Sequence, residues 1–144
     1  MIKGDQSMKW GCCGDGDRVR AIAQAGYDYV EAPVRALCIG EPEESARPFF
    51  DAVTESGLPV EGFNVFVSSD LPVVGPNVDE NALRQHVDAI VSRVADLNTS
   101  IIVLGSGGAR AIPDGWDPSK ARMQFKDFCS LAADTLGPVG ITIT

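Results

Sequence analysis

Seven residues of this chain carry side chains or backbone suited to ligand chemistry. They are Trp10, Cys12, Glu31, Asn64, Ser106, Gly107 and Arg110. Glu31 closes the apolar run "YDYV". A carboxylate in that place is a candidate to bind hydroxyl groups or to orient another polar group; the plainer alternative is a solvated loop acid. Asn64 lies between Phe63 and Val65 in "GFNVFV". A polar residue inside such a strand must be hydrogen-bonded, either to a ligand or to local backbone. Trp10 and Cys12 are two apart and so share a strand face. Trp10 is suited to stack on a sugar or to fill a core. "GSGGAR" ends the run "SIIVL" and supplies Ser106, Gly107 and Arg110. Glycines there let backbone approach a ligand closely. Arg110 offers a planar fork of donors for an anionic or polyhydroxylated ligand; alternatively the loop is only a turn and Arg110 a solvated residue.

The elements that must position these residues follow from periodicity. Strands are expected at residues 8–13, 27–31, 58–67, 100–105 and 139–144. Helices are expected at 18–26, 45–57, 78–98 and 118–137. Val19, Ile22 and Ala23 give the first helix its apolar face, with Asp15 or Asp17 as its cap and Gly26 at its end. Ser45 is the expected cap of the second, Phe49, Phe50 and Val53 its buried face, and Gly57 its stop. The third is the most regular: Leu83, Val87, Ile90, Val91, Val94 and Leu97 recur at steps of three and four. Asp79 and Glu80 suit its start and Asn98 its end. The fourth opens on Pro118 and offers Met123, Phe125, Phe128, Leu131 and Ala132 for burial.

The order βαβαβαβαβ implies parallel strands with right-handed crossovers. The runs "YDYV" and "IIVL" have the apolar character of strands covered on both faces. Strand ends recur about every 35–40 residues, the length of one (β/α) unit, and eight such units need about 250 residues. A chain of 144 residues is therefore read as one domain, residues 1–144, holding β1–β5 and α1–α4 of a partial (β/α)8 TIM barrel. Residues 1–7 are expected to be a leader or a disordered segment, with Met8 a candidate start.

Composition narrows the classes. The chain is 44% hydrophobic and 22% charged, as soluble globular domains are. Its net charge is -8 and no Lys/Arg cluster occurs, which argues against a nucleic-acid partner. No apolar run approaches the roughly 20 residues of a membrane span, and "MIKGDQSMKWGCC" lacks the apolar core of a secretory signal. Cys12, Cys13, Cys38 and Cys129 form no CxxC pair, so neither a zinc site nor a disulfide scaffold is expected. Reduced cysteines make the cytoplasm the default compartment. The single histidine, His86, falls on the third helix and is read as a packing or surface residue, since catalytic groups of a barrel come from strand ends.

"GSGGAR" also matches two glycines of the dinucleotide fingerprint, but Arg110 stands at the third, and Pro113 and Gly115 delay any helix. A flavodoxin- or Rossmann-like nucleotide-binding domain remains as an alternative, distinguishable by a reversal in strand order.

Five stretches taken in order resemble one family, the sugar phosphate isomerases/epimerases with a xylose isomerase-like TIM barrel. "MKWGCCG" resembles its first strand, "AGYDYVE" its second and "GFNVFV" its third. "VLGSGGARAIPDGW" resembles the fourth strand and its loop, and "FCSLAADTLGPVGITIT" the fourth helix and fifth strand. The resemblance runs from Met8 to Thr144 and matches the N-terminal half of the family's barrel. It implies metal-dependent proton transfer next to a carbonyl, on a small carbohydrate substrate. In the family a divalent metal (Mn, Mg, Co or Zn) is held by carboxylates and a histidine at the ends of strands five to eight. The first of these would fall just past Thr144, so this fragment is expected to bind no metal itself. Under the resemblance Glu31, Asn64, Ser106, Gly107, Arg110, Trp10 and Cys12 form a substrate-binding wall. A non-catalytic half-barrel that pairs with a partner or with itself as a homodimer is the other expectation, since an uncovered terminal strand favours association.

Overall fold

The computed structural model describes residues 8–144. The expected leader at 1–7 lies outside them. Five strands form one sheet in the order β1-β2-β3-β4-β5, and every neighbouring pair is parallel. The strands are β1 Gly11–Cys13, β2 Tyr29–Pro33, β3 Val60–Asn64, β4 Ile101–Ile102 and β5 Thr142–Ile143. Each is joined to the next by a helix: α1 Asp17–Gln24, α2 Arg47–Ser56, α3 Glu80–Val94 and α4 Pro118–Leu136. Sequential order without reversal is the arrangement of a partial TIM barrel. It removes the flavodoxin- or Rossmann-like alternative, which needs a switch point between strands.

The helices cover one face of the sheet. Val30, Ala32, Phe63 and Ile102 point to that side and are fully buried. They meet Val19 and Ile22 of α1, Phe49 and Ala52 of α2, Leu83, Val87 and Ile90 of α3, and Phe128, Ala132 and Leu136 of α4. The opposite face is open among the described residues. Ile102 is 0% exposed, while its neighbour Ile101 is 43% exposed. The expectation of strands covered on both faces therefore holds for one face only.

Local chemistry sets most boundaries. Asp79 caps α3 by accepting from Ala82 N at 3.0 Å. Asp117 caps α4 by accepting from Ser119 N at 2.8 Å, with Pro118 at its first position. Gly57 ends α2 at φ 66°. Four details differ from expectation. Gly16, not Asp15 or Asp17, precedes α1, because Asp15 turns instead to Arg35. Ser45 falls inside a 3-10 turn, Glu43–Ala46, and α2 begins after it without a side-chain cap. α3 stops at Val94, short of Asn98. Met123 is 61% exposed, its expected share of the core being taken by Ala121 and Leu136.

Candidate active site at the strand ends

Parallel strands that end together bring the residues after their last ladder positions to one edge. Cys13 ends β1 and is the register partner of Glu31. Asn64 ends β3 and is the partner of Pro33, two residues beyond Glu31 and so on the same face. A register shift between Val30 and Glu31 opposes Glu31 to Gly62. A Cβ at Gly62 would stand 3.8 Å from Glu31 Cγ and 3.3 Å from Ile101 O. The glycine thus leaves the carboxylate room to lie across the sheet.

The three side chains form one cluster. Asn64 Nδ2 donates to Glu31 Oε1 at 2.8 Å and approaches Cys13 Sγ at 3.6 Å. The Cys13 thiol points at the same Glu31 oxygen from 3.7 Å. Glu31 and Asn64 are half-buried, and Cys13 is exposed. Desolvation, then the charge of Glu31 and its hydrogen bond, push the Cys13 thiol above its ordinary range; Asn64 pulls slightly the other way. Cys13 is therefore a neutral thiol at physiological pH, and Glu31 is an acceptor held in place by an amide.

A prediction follows from that cause. Glu31→Gln removes the charge that opposes ionisation, so Cys13 should alkylate several-fold faster in the variant. Timed iodoacetamide labelling with peptide mapping reads this directly. An unchanged or slower rate at Cys13 would show that Glu31 does not govern the thiol.

A hollow of about 540 Å³ opens beside this edge. Its lining includes Pro33, Val65, Ser68, Ser69, Arg35 and His86. Val65 follows Asn64 directly and holds φ 49°, a costly conformation for a β-branched residue. His86 Nε2 donates to Phe66 O at 2.8 Å, so its role is to tie α3 to the loop after β3. Burial holds its pKa below the usual histidine value. That agrees with the packing reading of this residue.

The structure places the remaining candidates elsewhere. Trp10 is 64% exposed, and its backbone N–H donates to Asp28. Cys12 packs against the helix-side core, the face away from Glu31. Ser106 is buried at φ 44°; its hydroxyl accepts from Val67 N at 2.9 Å and donates to Leu104 O. The bond from Val67 joins the loops after β3 and β4, and the bond to Leu104 closes a turn within the second of them. Gly107 faces open space, and the close approach occurs at Gly108, where a Cβ would meet Ser69 Cβ at 2.9 Å. Arg110 is exposed and lies against α4. Sequence reasoning missed Cys13. Its facing Glu31 follows from the β1–β2 register, which the sequence does not show.

The described residues contain no group of three or more His, Cys, Asp or Glu able to hold a metal. At the strand ends a single carboxylate stands beside a thiol kept protonated and an amide that donates. A hard divalent cation asks for several oxygen ligands, so this donor set does not fit one.

No protein-family model matches the chain, and no curated protein matches it. Solved structures do. A D-allulose 3-epimerase from Methylomonas sp., crystallised with D-allulose, superposes with a TM-score of 0.69 at 16% identity, covering 94% of this chain and 50% of that one. An AP endonuclease, family 2, from Brucella melitensis gives 0.66 at 20% identity, with 94% and 54% covered. A 3-keto-D-glucoside 4-epimerase from E. coli gives 0.63 at 19%, with 95% and 55% covered. The chain thus spans about half the length of the structures it matches, and at these identities the likeness shows the fold. Among the described residues, no helix is long and apolar enough to cross a membrane.

Proposed function

We propose that this chain forms the β1–β5 side of a sugar isomerase/epimerase barrel and that its strand ends bind the hydroxyl and carbonyl oxygens of a small ketose. The observation that carries the reading is Glu31, fixed by Asn64 at 2.8 Å on the C-terminal edge of the parallel strands. Active sites of (β/α) barrels are built at that edge. A fixed carboxylate accepts from vicinal hydroxyls without an ordering cost, and the Asn64 amide keeps it aimed. The neutral Cys13 thiol donates weakly and leaves the negative charge at one place. Proton transfer next to a carbonyl needs an acid–base group within hydrogen-bond reach of the moving proton, and Glu31 is the group at this edge suited to it. Any divalent metal would be held by groups outside this cluster. Two of the three structural neighbours named above are sugar epimerases, which supports the same substrate class.

The endonuclease-like neighbour offers a second reading. The net charge of -8 weighs against it, because phosphate backbones are held by clustered cations. The open sheet face, with Ile101 exposed, is in our reading covered in the working protein by a complementary half-barrel, either further chain or a second copy. The compartment proposed is the cytoplasm.

Titration calorimetry with D-allulose and D-fructose tests the binding claim. Wild-type protein should bind a ketohexose, and Glu31→Gln should weaken it at least tenfold, about 1.4 kcal/mol. Equal affinities in the two proteins would overturn the assignment of Glu31.

A further inference from the structure

Arg110 and Arg122 come from different elements and meet at one hollow. Its volume is about 160 Å³, and Val74, Ile112, Ala121 and Phe125 supply the rest of its lining. No carboxylate lines it. Four ion pairs occur among the described residues, and neither guanidinium takes part in one. Two guanidiniums on apolar walls, with no carboxylate among the lining residues, make a cationic hollow in a chain of net charge -8.

The frame around them is locked. Gly75 N donates to Gln124 Oε1 and Gln124 Nε2 donates to Gly75 O, both at 2.8 Å, which fastens the loop after β3 to α4. Val73 N donates to Ala109 O at 2.9 Å, which fastens the same loop to the loop after β4. Gly75 also approaches the Pro113 ring so closely that a Cβ there would stand 3.0 Å from Cγ. Arg110 and Arg122 are therefore carried on a prearranged scaffold.

We propose that this hollow binds a phosphate-type oxyanion between Arg110 and Arg122. Guanidinium forks match the oxygen spacing of a phosphate and bind it through paired hydrogen bonds. The volume falls below the roughly 300 Å³ where pockets for whole ligands begin, so it suits a charged group rather than a sugar ring. The site uses none of Cys13, Glu31 or Asn64, and it stands whether or not those residues bind a ketose.

The test uses amide-resolved NMR at low ionic strength with inorganic phosphate, glucose 6-phosphate and glucose as separate probes. Phosphate should shift amides of residues 110–112 and 121–125 in a saturable way. Arg110→Gln and Arg122→Gln should each weaken binding about tenfold or more. Arg84→Gln, whose side chain lines a different hollow with Glu80 and Asp127, should leave it unchanged. Tighter binding of glucose 6-phosphate than of phosphate, with glucose silent at these amides, would assign the anion to a phosphorylated ligand. Equal binding would assign it to free phosphate. Both results keep the site. It is overturned if phosphate leaves these amides unmoved, or if the folded double variant binds phosphate within twofold of wild type.

Discussion

Phe63→Ala is expected to destabilise the domain by about 3–5 kcal/mol, the usual cost of emptying a buried phenylalanine site. Phe63 is 0% exposed near the end of β3, the middle strand of the sheet, where it faces Phe49 edge-on at 6.3 Å between ring centroids. Its removal leaves a cavity where α2 meets the sheet. Domains of this size hold about 5–15 kcal/mol in all, so the variant should lose a large part of its stability or fail to fold at 37 °C. Urea denaturation followed by circular dichroism measures the change. A loss under about 1 kcal/mol would contradict the placement of Phe63 in the core.

Asn64→Asp is expected to give the largest effect at the strand ends. The amide nitrogen stands 2.8 Å from Glu31 Oε1. Substitution replaces a donor with a second carboxylate at that distance, and the pair is relieved by sharing a proton. The sign follows from that. A carboxyl whose folded pKa is raised contributes stability that is present at low pH and lost as pH rises through the raised value. The melting temperature of the variant, compared with wild type, should therefore fall further behind between pH 5 and pH 8. Ketose binding should drop at least tenfold at neutral pH. A deficit that shrinks as pH rises would contradict the Glu31–Asn64 contact.

The fold was legible because its signals are local and repeated. The apolar steps of α3 name its four buried residues, Leu83, Val87, Ile90 and Val94, and Asp79 caps that helix where it was expected, although Asp15, Asp17 and Ser45 do not cap theirs. Parallel sequential strands followed from the spacing alone. The site was only partly legible. Glu31 and Asn64 stand out because polar residues rarely interrupt such strands. Their meeting depends on a register shift between Val30 and Glu31 that leaves no mark in the sequence. The same geometry decides between Cys12 and Cys13: adjacent strand residues face opposite ways, and only Cys13 shares the side of Glu31. Ser106 and Arg110 sit near each other in sequence, yet the loop's folding sends one inward to hold backbone and the other out against α4. Turns at φ 48° for Gly105 and 44° for Ser106 do this, and no residue pattern prescribes their direction. Similarly, β4 and β5 keep only two paired residues each. The long apolar runs overstated them because hydrophobicity reports burial and not ladder length.

The central claim is that the cluster of Cys13, Glu31 and Asn64 is where ligand binds. Backbone amide shifts recorded during titration with D-allulose test this most directly. The account predicts saturable shifts centred on residues 13, 31 and 62–65, abolished by Glu31→Gln in a variant whose remaining spectrum is unchanged. Shifts confined to other parts of the fold, or a pattern at these residues that survives Glu31→Gln, would contradict it.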